Sequence, residues 1–340
     1  DLYRLTRAKY AYPGGTDAWT SPFAAEHADP TRKPQPSPLV SYAARVKEQR
    51  YAYDHAGNTT RTTDDYEAMA SAGIVGIVEP AFWLGQPRTQ VGSFIDYFSA
   101  LIGWERFRAK QFGIAHYCTI GLNPKEANDP RVAEPVLELL PRFLRKDGVV
   151  GVGEIGFDDL SPAEEKVFQA QLQLAKDADL PVLIHLPHRD KKRGTERTLH
   201  VVRESGVPEE RVLIDHNNEE TLPLVRASGC WAGHSIYPNS KMTEVRMVDL
   251  LKRYGLERMV VNSAADWGKS DPLKVPKTAE AMRSAGFSAQ DIERVLFENP
   301  VRFFEQSGRV NRADLGQPQI DQSELFEGNS VLRGQTPHRS

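Results

Sequence analysis

From residue 50 onward, short runs of apolar residues alternate with longer stretches in which apolar residues recur every three to four positions. The short runs predict buried strands, and the longer stretches predict amphipathic helices. In residues 162–178, for example, Val167, Phe168 and Leu172 belong to one apolar face with the period of a helix. The eight predicted strands are residues 50–54, 74–78, 113–120, 149–153, 181–184, 211–215, 230–236 and 258–262.

Eight strand–helix units predict a closed (β/α)8 TIM barrel. Buried apolar strands that alternate with amphipathic helices pair in parallel, with the helices outside the sheet. An open sheet that binds a dinucleotide is not favoured, because the glycine-rich stretch GVGEIG carries Glu154 where a pyrophosphate would approach. The count of eight units over residues 50–306 also agrees with the usual barrel size of about 250 residues.

The two ends of the chain do not continue this rhythm. Residues 1–49 contain several prolines that interrupt any period, and only residues 39–49 could form a short helix. Residues 309–340 are polar and aperiodic. We therefore predict an irregular N-terminal extension over 1–49, a barrel domain over 50–308, and a polar C-terminal tail over 309–340.

Composition narrows the choice of partners and compartment. The chain has 340 residues and a net charge of −3, so it lacks the basic balance that favours nucleic acid. Its two cysteines, Cys118 and Cys230, lie in apolar runs and predict buried free thiols in a reducing, cytoplasmic setting. No apolar stretch is long enough to span a bilayer, so no membrane partner is expected. The oligomeric state cannot be derived from these features.

Metal-competent side chains follow four of the predicted strands. Glu154 and His185 end two of them, and His216 and Asp266 follow two others. The C-terminal ends of barrel strands converge on one mouth, so these residues are expected to be neighbours. Imidazole and carboxylate ligands suit zinc, manganese or iron, and we predict one or two divalent ions, with zinc favoured. A single histidine would be an ordinary core or surface residue, whereas the combination favours a metal site.

Further candidates surround this predicted mouth. His55 ends the first predicted strand and is a fifth candidate metal ligand. Glu79 could be a ligand, a substrate contact or a paired structural carboxylate, and His234 could contact substrate or only pack. The remaining predicted substrate contacts are Trp83, Arg88, His188 and Trp267. The alternative for Phe82 and Trp83 is that they only pack their loop, and His116, inside the third strand, is interpreted as structural.

The segments GEIGFDD, QLQLAKDADLPVLIHLP and NSAADWG resemble the TatD-related branch of the amidohydrolase superfamily. The segments RTTDDYEAMASAGIVGIVEPAFWLGQPR and YCTIGLNPKEAN resemble its EboC-like group. The resemblance covers about residues 50–306 and implies a metal-dependent barrel hydrolase. It implies metal ligands from strands four, five, six and eight, which are Glu154, His185, His216 and Asp266.

One departure from that resemblance concerns the number of metal ions. The family usually has a His-x-His pair at the end of strand one, whereas this chain reads YDHAGNTT, with His55 first and Gly57 in the second place. Losing one imidazole weakens a second metal position, so a single ion at Glu154, His185 and His216 is the preferred interpretation. A dinuclear centre remains the alternative, with Asp54, Asn58 or water replacing the missing ligand.

The predicted function is metal-assisted hydrolysis of a small organic metabolite, with Asp266 as the catalytic base. A bound divalent ion lowers the pKa of its water toward about 7, and His234 or Arg88 would help to polarise the attacked oxygen. Aromatic groups on residues 81–88 and Trp267 fit a small polar or cyclic substrate. The EboC-like resemblance implies a biosynthetic role. Alternatives are a non-hydrolytic isomerase or lyase, a TatD-type phosphodiesterase or DNase, and a binding scaffold that has lost catalysis.

Overall fold

The computed structural model describes side chains for residues 65–83, 88–238, 242–263 and 270–319. It also describes the backbone of residues 60–64 and of four short strands nearer the N-terminus. Contacts divide the chain into two compact units, Asp1–Asp64 and Asp65–Ser340.

Two short antiparallel pairs are described in the first unit. Strand β1 (Arg7–Lys9) pairs with β4 (Glu48–Arg50), and β2 (Trp19–Thr20) pairs with β3 (Ser41–Tyr42). A helix over 39–49 is therefore wrong, since strand residues lie at both ends of that range. Arg50, placed in the first barrel strand by the sequence pattern, belongs to β4, and residues 51–54 lie outside the described residues.

The second unit is built on a parallel sheet, of which the described residues contain seven strands. Their order in the sheet follows their order in the chain, and each strand is parallel to its neighbour. This curled sheet with helices confirms the predicted α/β barrel architecture. The strands are β5 (Gly76–Pro80), β6 (Ala115–Ile120), β7 (Val149–Gly156), β8 (Val182–His185), β9 (Val212–Ile214), β10 (Trp231–Ile236) and β11 (Met259–Ser263).

Helices connect these strands. The helices are α1 (Thr60–Ser71), α2 (Val91–Ser99), α3 (Arg106–Gln111), α4 (Pro130–Leu144), α5 (Pro162–Asp177), α6 (Lys191–Ser205), α7 (Leu222–Arg226), α8 (Glu244–Tyr254), α9 (Lys274–Ser284), α10 (Ala289–Glu293) and α11 (Asn299–Glu305). A π-helical turn, Ala100–Glu105, joins α2 to α3, and a second one, Arg294–Glu298, joins α10 to α11. Single 3-10 turns lie at Pro124–Glu126, Glu209–Arg211 and Arg312–Asp314. None of the helices in the described residues is long and apolar enough to cross a membrane.

Local sequence explains where these helices begin. At the start of α5, the side chain of Ser161 accepts a hydrogen bond from the backbone N–H of Glu164 at 3.1 Å. Pro162 occupies the first helical position, where a missing N–H costs nothing. The buried face of this helix includes Phe168 and Leu172, as the apolar period predicts.

The two faces of the sheet bury separate apolar clusters. On the inner face, alternate strand residues such as Tyr117, Leu183 and Val260 pack with Phe303 and Phe304 of α11. Strand neighbours of these residues, including Cys118, Ile184 and Val261, pack in the cluster shared with the helices. The side-chain period of two thus decides which residues face the barrel interior and which face the helices. The predicted burial of the free thiols Cys118 and Cys230 is confirmed.

Candidate metal centre

Three of the predicted ligands converge at the C-terminal edge of the sheet. Glu154 lies near the end of β7, His185 ends β8, and His216 follows β9. Oε1 of Glu154 lies 3.3 Å from Nδ1 of His185 and 3.0 Å from Nε2 of His216. One ligand atom from each residue lies within 4.8 Å of the others. The structure therefore brings together three residues that are 31 and 31 positions apart in the sequence (185 − 154 and 216 − 185).

The local backbone allows this convergence. At Gly153 an added Cβ would lie 2.7 Å from Cβ and O of Leu183, so only glycine permits β7 and β8 to approach so closely before Glu154. His216 adopts a left-handed conformation with φ of 62°. Its backbone N–H donates to Oδ1 of Asp215 at 2.7 Å, which offsets part of the cost of that conformation.

The imidazole of His185 fits a metal-ligand role. The residue is 6% exposed, and its Nε2 has no hydrogen-bond partner among the described residues, whereas Nδ1 lies 3.3 Å from Oε1 of Glu154. Buried polar atoms without partners are costly, so such a group indicates an interaction that the protein atoms alone do not supply. Two imidazoles and one carboxylate match the ligand preferences of zinc and other first-row divalent ions.

The carboxylate of Glu154 supplies the negative charge of this cluster. Burial raises its pKa, but the imidazoles of His185 and His216 oppose this effect, and the pKa lies well below the usual value. The side-chain amide of Asn123 donates to Oε2 at 3.2 Å, so Oε1 is the oxygen that faces both histidines. A carboxylate held ionised beside two imidazoles is an arrangement that a divalent cation would complete.

Polar residues that the sequence pattern does not single out support the centre. Asp215 is predicted only as the end of a strand, yet its carboxylate accepts hydrogen bonds from Ser235 and Asn262. The hydroxyl of Ser235 also lies 2.7 Å from Nδ1 of His216. A signal for them is present in the sequence: these residues, like Asn123, are polar positions at or just beyond the ends of apolar strands.

His188 lies where the sequence predicts a substrate-facing group. Its ring centroid is 5.6 Å from that of His185 and 6.3 Å from that of His216. The residue is exposed, unlike His185. It therefore borders the centre from the solvent side.

Trp83 lies at the same edge of the sheet. Nζ of Lys125 is 5.0 Å from the centre of the Trp83 ring and 2.6 Å from Oδ2 of Asp158, four residues after Glu154. The loop of Trp83 also contacts the ligand strand directly, because the carbonyl of Ala81 accepts the backbone N–H of Glu154 at 3.0 Å. The aromatic ring is thus placed close to the segment that carries a ligand.

Arg88 has a different place from the one predicted. Its Nη1 donates to both carboxylate oxygens of Glu126, at 3.0 and 2.9 Å, and its backbone N–H donates to Oε1 at 2.8 Å. The guanidinium also lies 4.1 Å from the centre of the Tyr97 ring. The side chain is 8% exposed. This buried pairing anchors the loop after β5 and does not support a role for Arg88 in polarising a substrate.

Glu79 pairs with His116 and not with the metal cluster. Nε2 of His116 lies 2.8 Å from Oε2 of Glu79. Glu79 is the register partner of Cys118, which packs in the cluster shared with the helices, whereas Val78 pairs with Tyr117 of the inner cluster. Glu79 and His116 therefore lie on the helix-facing side of the sheet. Of the three roles considered for Glu79, its position supports that of a paired structural carboxylate. The same pairing supports the structural interpretation of His116.

His234 is fully buried and also lies on the helix-facing side. The next residue, Ser235, contacts the metal cluster, so the alternation of the strand turns His234 the other way. Burial lowers the pKa of His234 to about 4, and its Nδ1 lies 3.4 Å from the carbonyl of Val260. The packing role fits this position, and the predicted substrate contact is not supported.

Three predicted site residues lie outside the described residues. These are His55, Asp266 and Trp267. Gly57, which stands in place of the second histidine of the His-x-His pair, also lies outside the described residues. Their assignments remain predictions from the sequence.

Comparisons with known proteins identify the family to which this chain is similar. The model of the TatD related DNase family matches residues 99–305, more than half of the chain. An uncharacterized metal-dependent hydrolase of Methanocaldococcus jannaschii is 28% identical over 253 residues, which cover 74% of this chain and 98% of that protein.

Two solved structures extend the comparison. The TatD-like protein of Archaeoglobus fulgidus is 26% identical with a TM-score of 0.60, and the match covers 71% of this chain and 94% of that one. A phosphotriesterase homology protein of Escherichia coli is 18% identical with a TM-score of 0.56 and covers 71% and 88%, a likeness of fold alone. With the family model over more than half of its length, the chain belongs to the TatD related DNase family.

Proposed function

We propose that this protein is a metal-dependent hydrolase that acts on a small organic substrate. The observation that carries the proposal is the convergence of His185 and His216 on the ionised carboxylate of Glu154. A single divalent ion, most simply zinc, fits this three-residue set. Membership of a family of metal-dependent hydrolases supports the reaction class.

The proposed roles combine the positions of the described residues with the sequence-based prediction for Asp266. A divalent ion held by Glu154, His185 and His216 would lower the pKa of a coordinated water to about 7. Asp266, the predicted base, accepts the proton of the attacking water and passes it to the leaving group. His188, exposed beside both histidine ligands, binds the polar end of the substrate.

The proposed substrate is a small polar or cyclic metabolite. The aromatic ring of Trp83 offers a flat surface near the ligand strand, with Lys125, paired to Asp158, beside it. This surface suits one ring or carbonyl group better than a long polymer. The EboC-like resemblance supports a place in a biosynthetic pathway.

A phosphodiesterase acting on DNA is the second candidate, and one observation favours it. The segment directly after His185 and His188 carries four cationic residues, of which Arg189, Lys192 and Arg193 are exposed. Exposed cations beside a metal centre would attract phosphate oxygens. The net charge of −3 for the whole chain opposes extended contact with a polyanion.

The test separates these candidates. Protein purified without a metal-binding tag is analysed for metal, loaded with zinc, manganese or iron, and assayed with lactones, carboxylesters, phosphodiesters and a single-stranded oligonucleotide. We expect one metal ion per chain and turnover of small esters or lactones in preference to the oligonucleotide. Two ions per chain would support the dinuclear alternative.

Matched variants complete the test. His185→Ala should lose both metal and turnover, whereas His200→Ala should keep both, because His200 lies on the exposed face of α6 beside Glu204. Hydrolysis in oxygen-18 water must place solvent oxygen in a product, and its absence would indicate an isomerase or lyase. Metal binding without turnover of any substrate would favour the binding scaffold.

A further inference from the structure

Asp215 is a buried carboxylate beside the metal cluster that the proposed reaction does not use. It is 5% exposed, and it is not part of the three-residue ligand group found in the described chain. Its Oδ1 accepts the backbone N–H of His216 at 2.7 Å, and its Oδ2 accepts the hydroxyl of Ser235 at 3.1 Å. A carboxylate with these donors is fixed in one orientation.

The side-chain amide of Asn262 completes the arrangement from the neighbouring strand. Its Nδ2 lies 3.1 Å from Oδ1 and 3.0 Å from Oδ2 of Asp215. Gly233 provides the space, since a Cβ at that position would lie 2.6 Å from Oδ1 of Asp215. Asp215 follows β9, and its carboxylate is therefore enclosed by residues of the two neighbouring strands, β10 and β11.

The hydroxyl of Ser235 connects this carboxylate to a metal ligand. Its oxygen lies 2.7 Å from Nδ1 of His216 and 3.1 Å from Oδ2 of Asp215. A hydroxyl has one proton to donate, and an ionised carboxylate can only accept. The proton of Ser235 therefore points to Asp215, and Nδ1 of His216 must carry the proton that is donated to Ser235.

This proton placement decides which nitrogen of His216 is a ligand. A neutral imidazole with its proton on Nδ1 has its lone pair on Nε2, the atom 3.0 Å from Oε1 of Glu154. A lone pair and a carboxylate oxygen repel each other unless a cation lies between them. We infer that Asp215, acting through Ser235, is a positioning residue that selects the tautomer in which Nε2 of His216 binds the metal ion. This inference rests on the metal site of the proposed function.

A purely structural role for Asp215 would be the alternative, because its hydrogen bonds also tie β9 to β10 and β11. The two roles differ in what they predict for Ser235. Removing the hydroxyl leaves the bonds of Asp215 to Asn262 and to the backbone of His216 in place, so the ties between strands persist. Only the hydroxyl bridge to the imidazole is lost, which leaves Oδ2 of Asp215 3.6 Å from Nδ1 of His216, too far for a hydrogen bond.

The experiment measures zinc affinity by competition with a chromophoric chelator for Ser235→Ala and Asp215→Asn. Outer groups that orient a ligating histidine are typically worth about 10- to 100-fold in metal affinity. We expect a loss in this range for Ser235→Ala with an unchanged circular dichroism spectrum, and at least as large a loss for Asp215→Asn. Glu79→Gln is the matched control, because it alters a carboxylate–histidine pair on the other side of the sheet.

A second readout observes the proton on Nδ1 without metal. In protein labelled with nitrogen-15 at histidine, Nδ1 of the His216 ring should carry a proton in the wild type and should lose it in Ser235→Ala. If Ser235→Ala binds zinc as tightly as the wild type and the ring signals do not change, the inference is wrong. If the wild type binds no zinc, the proposed function fails, while the nitrogen-15 spectrum still decides whether Asp215 and Ser235 select the tautomer.

Discussion

The amide of Asn123 donates to Oε2 of Glu154 at 3.2 Å, which leaves Oε1 to face both imidazoles of the cluster. Asn123 follows β6, and its own side-chain oxygen accepts the backbone N–H of Lys125 at 3.1 Å. The amide is therefore held at both ends, and it fixes the rotation of the carboxylate. One residue from a strand that supplies no ligand thus decides which oxygen of Glu154 faces the metal site.

We predict that Asn123→Ala weakens metal binding without unfolding the protein. Loss of the donor lets the carboxylate rotate, and an orienting partner of a ligand is typically worth about 10- to 100-fold in affinity. The loss of a buried hydrogen bond should also lower the free energy of unfolding by roughly 1–3 kcal/mol. Zinc competition and urea denaturation measure the two effects. Unchanged zinc affinity would show that Glu154 is oriented by other contacts.

The pair Arg88–Glu126 gives a prediction about stability. Its side chains are 8% and 1% exposed, so Arg88→Met would leave a buried carboxylate without its partner. Breaking a buried pair in this way costs about 3–5 kcal/mol. Turnover of the protein that remains folded should be retained, because Arg88 anchors a loop. Lys166→Met is the control, since its pair with Glu134 is exposed and should leave stability unchanged. A large loss of turnover at full stability would restore the predicted substrate role of Arg88.

The same variant should change how stability depends on pH. Burial raises the pKa of Glu126 above its usual 4.5, and Arg88 opposes that rise. Without Arg88 the pKa should increase further, so the folded state would bind a proton that the unfolded state releases at pH values just above 4.5. Stability of Arg88→Met should therefore increase, relative to the wild type, as the pH falls from 7 toward 5. Denaturation midpoints at a series of pH values test this, and parallel curves would contradict it.

His234 predicts a loss of stability in acid. Burial lowers its pKa from 6.5 to about 4. Between these values the unfolded chain binds a proton that the folded chain does not, so stability decreases as the pH falls through this range, by up to roughly 3 kcal/mol. His234→Phe removes the titrating group and should flatten this part of the curve, and His200→Phe on the exposed helix face is the control. Zinc affinity should be unchanged in His234→Phe. An unaltered acid slope would assign the effect to other groups.

Both thiols should be inert in the folded protein. Burial raises the pKa of Cys118 to about 12 and that of Cys230 to about 11. Since the thiolate is the reactive form, neither should react with a disulfide reagent at pH 8 until the chain unfolds. A colorimetric thiol assay with and without denaturant measures this. Rapid reaction of one thiol in the native protein would show that its strand opens locally.

The strands and the ligand cluster are predictable from the sequence because both depend on local patterns. Apolar runs of four to eight residues identify buried strands, and a charged residue directly after such a run is conspicuous. Parallel strands then place those residues at one edge, which is why the pattern alone groups Glu154, His185 and His216. Seven of the eight predicted strands are present in the described residues.

The sequence could not decide which face of a strand a residue occupies. A shift of one residue moves a side chain to the opposite face, and boundaries predicted from a single sequence are uncertain by more than that. Glu79 and His234 each sit near a strand end, yet both point toward the helices. The pairing of Arg88 could not be predicted for a different reason, because its partner Glu126 lies 38 residues away and no local pattern joins them.

The loop after β5 is fastened at both of its ends. Before it, the carbonyl of Ala81 accepts the backbone N–H of Glu154, and after it, Arg88 is locked to Glu126. Ala81 and Arg88 are therefore poor targets for directed evolution, because changes there would disturb contacts that lie beside the metal cluster.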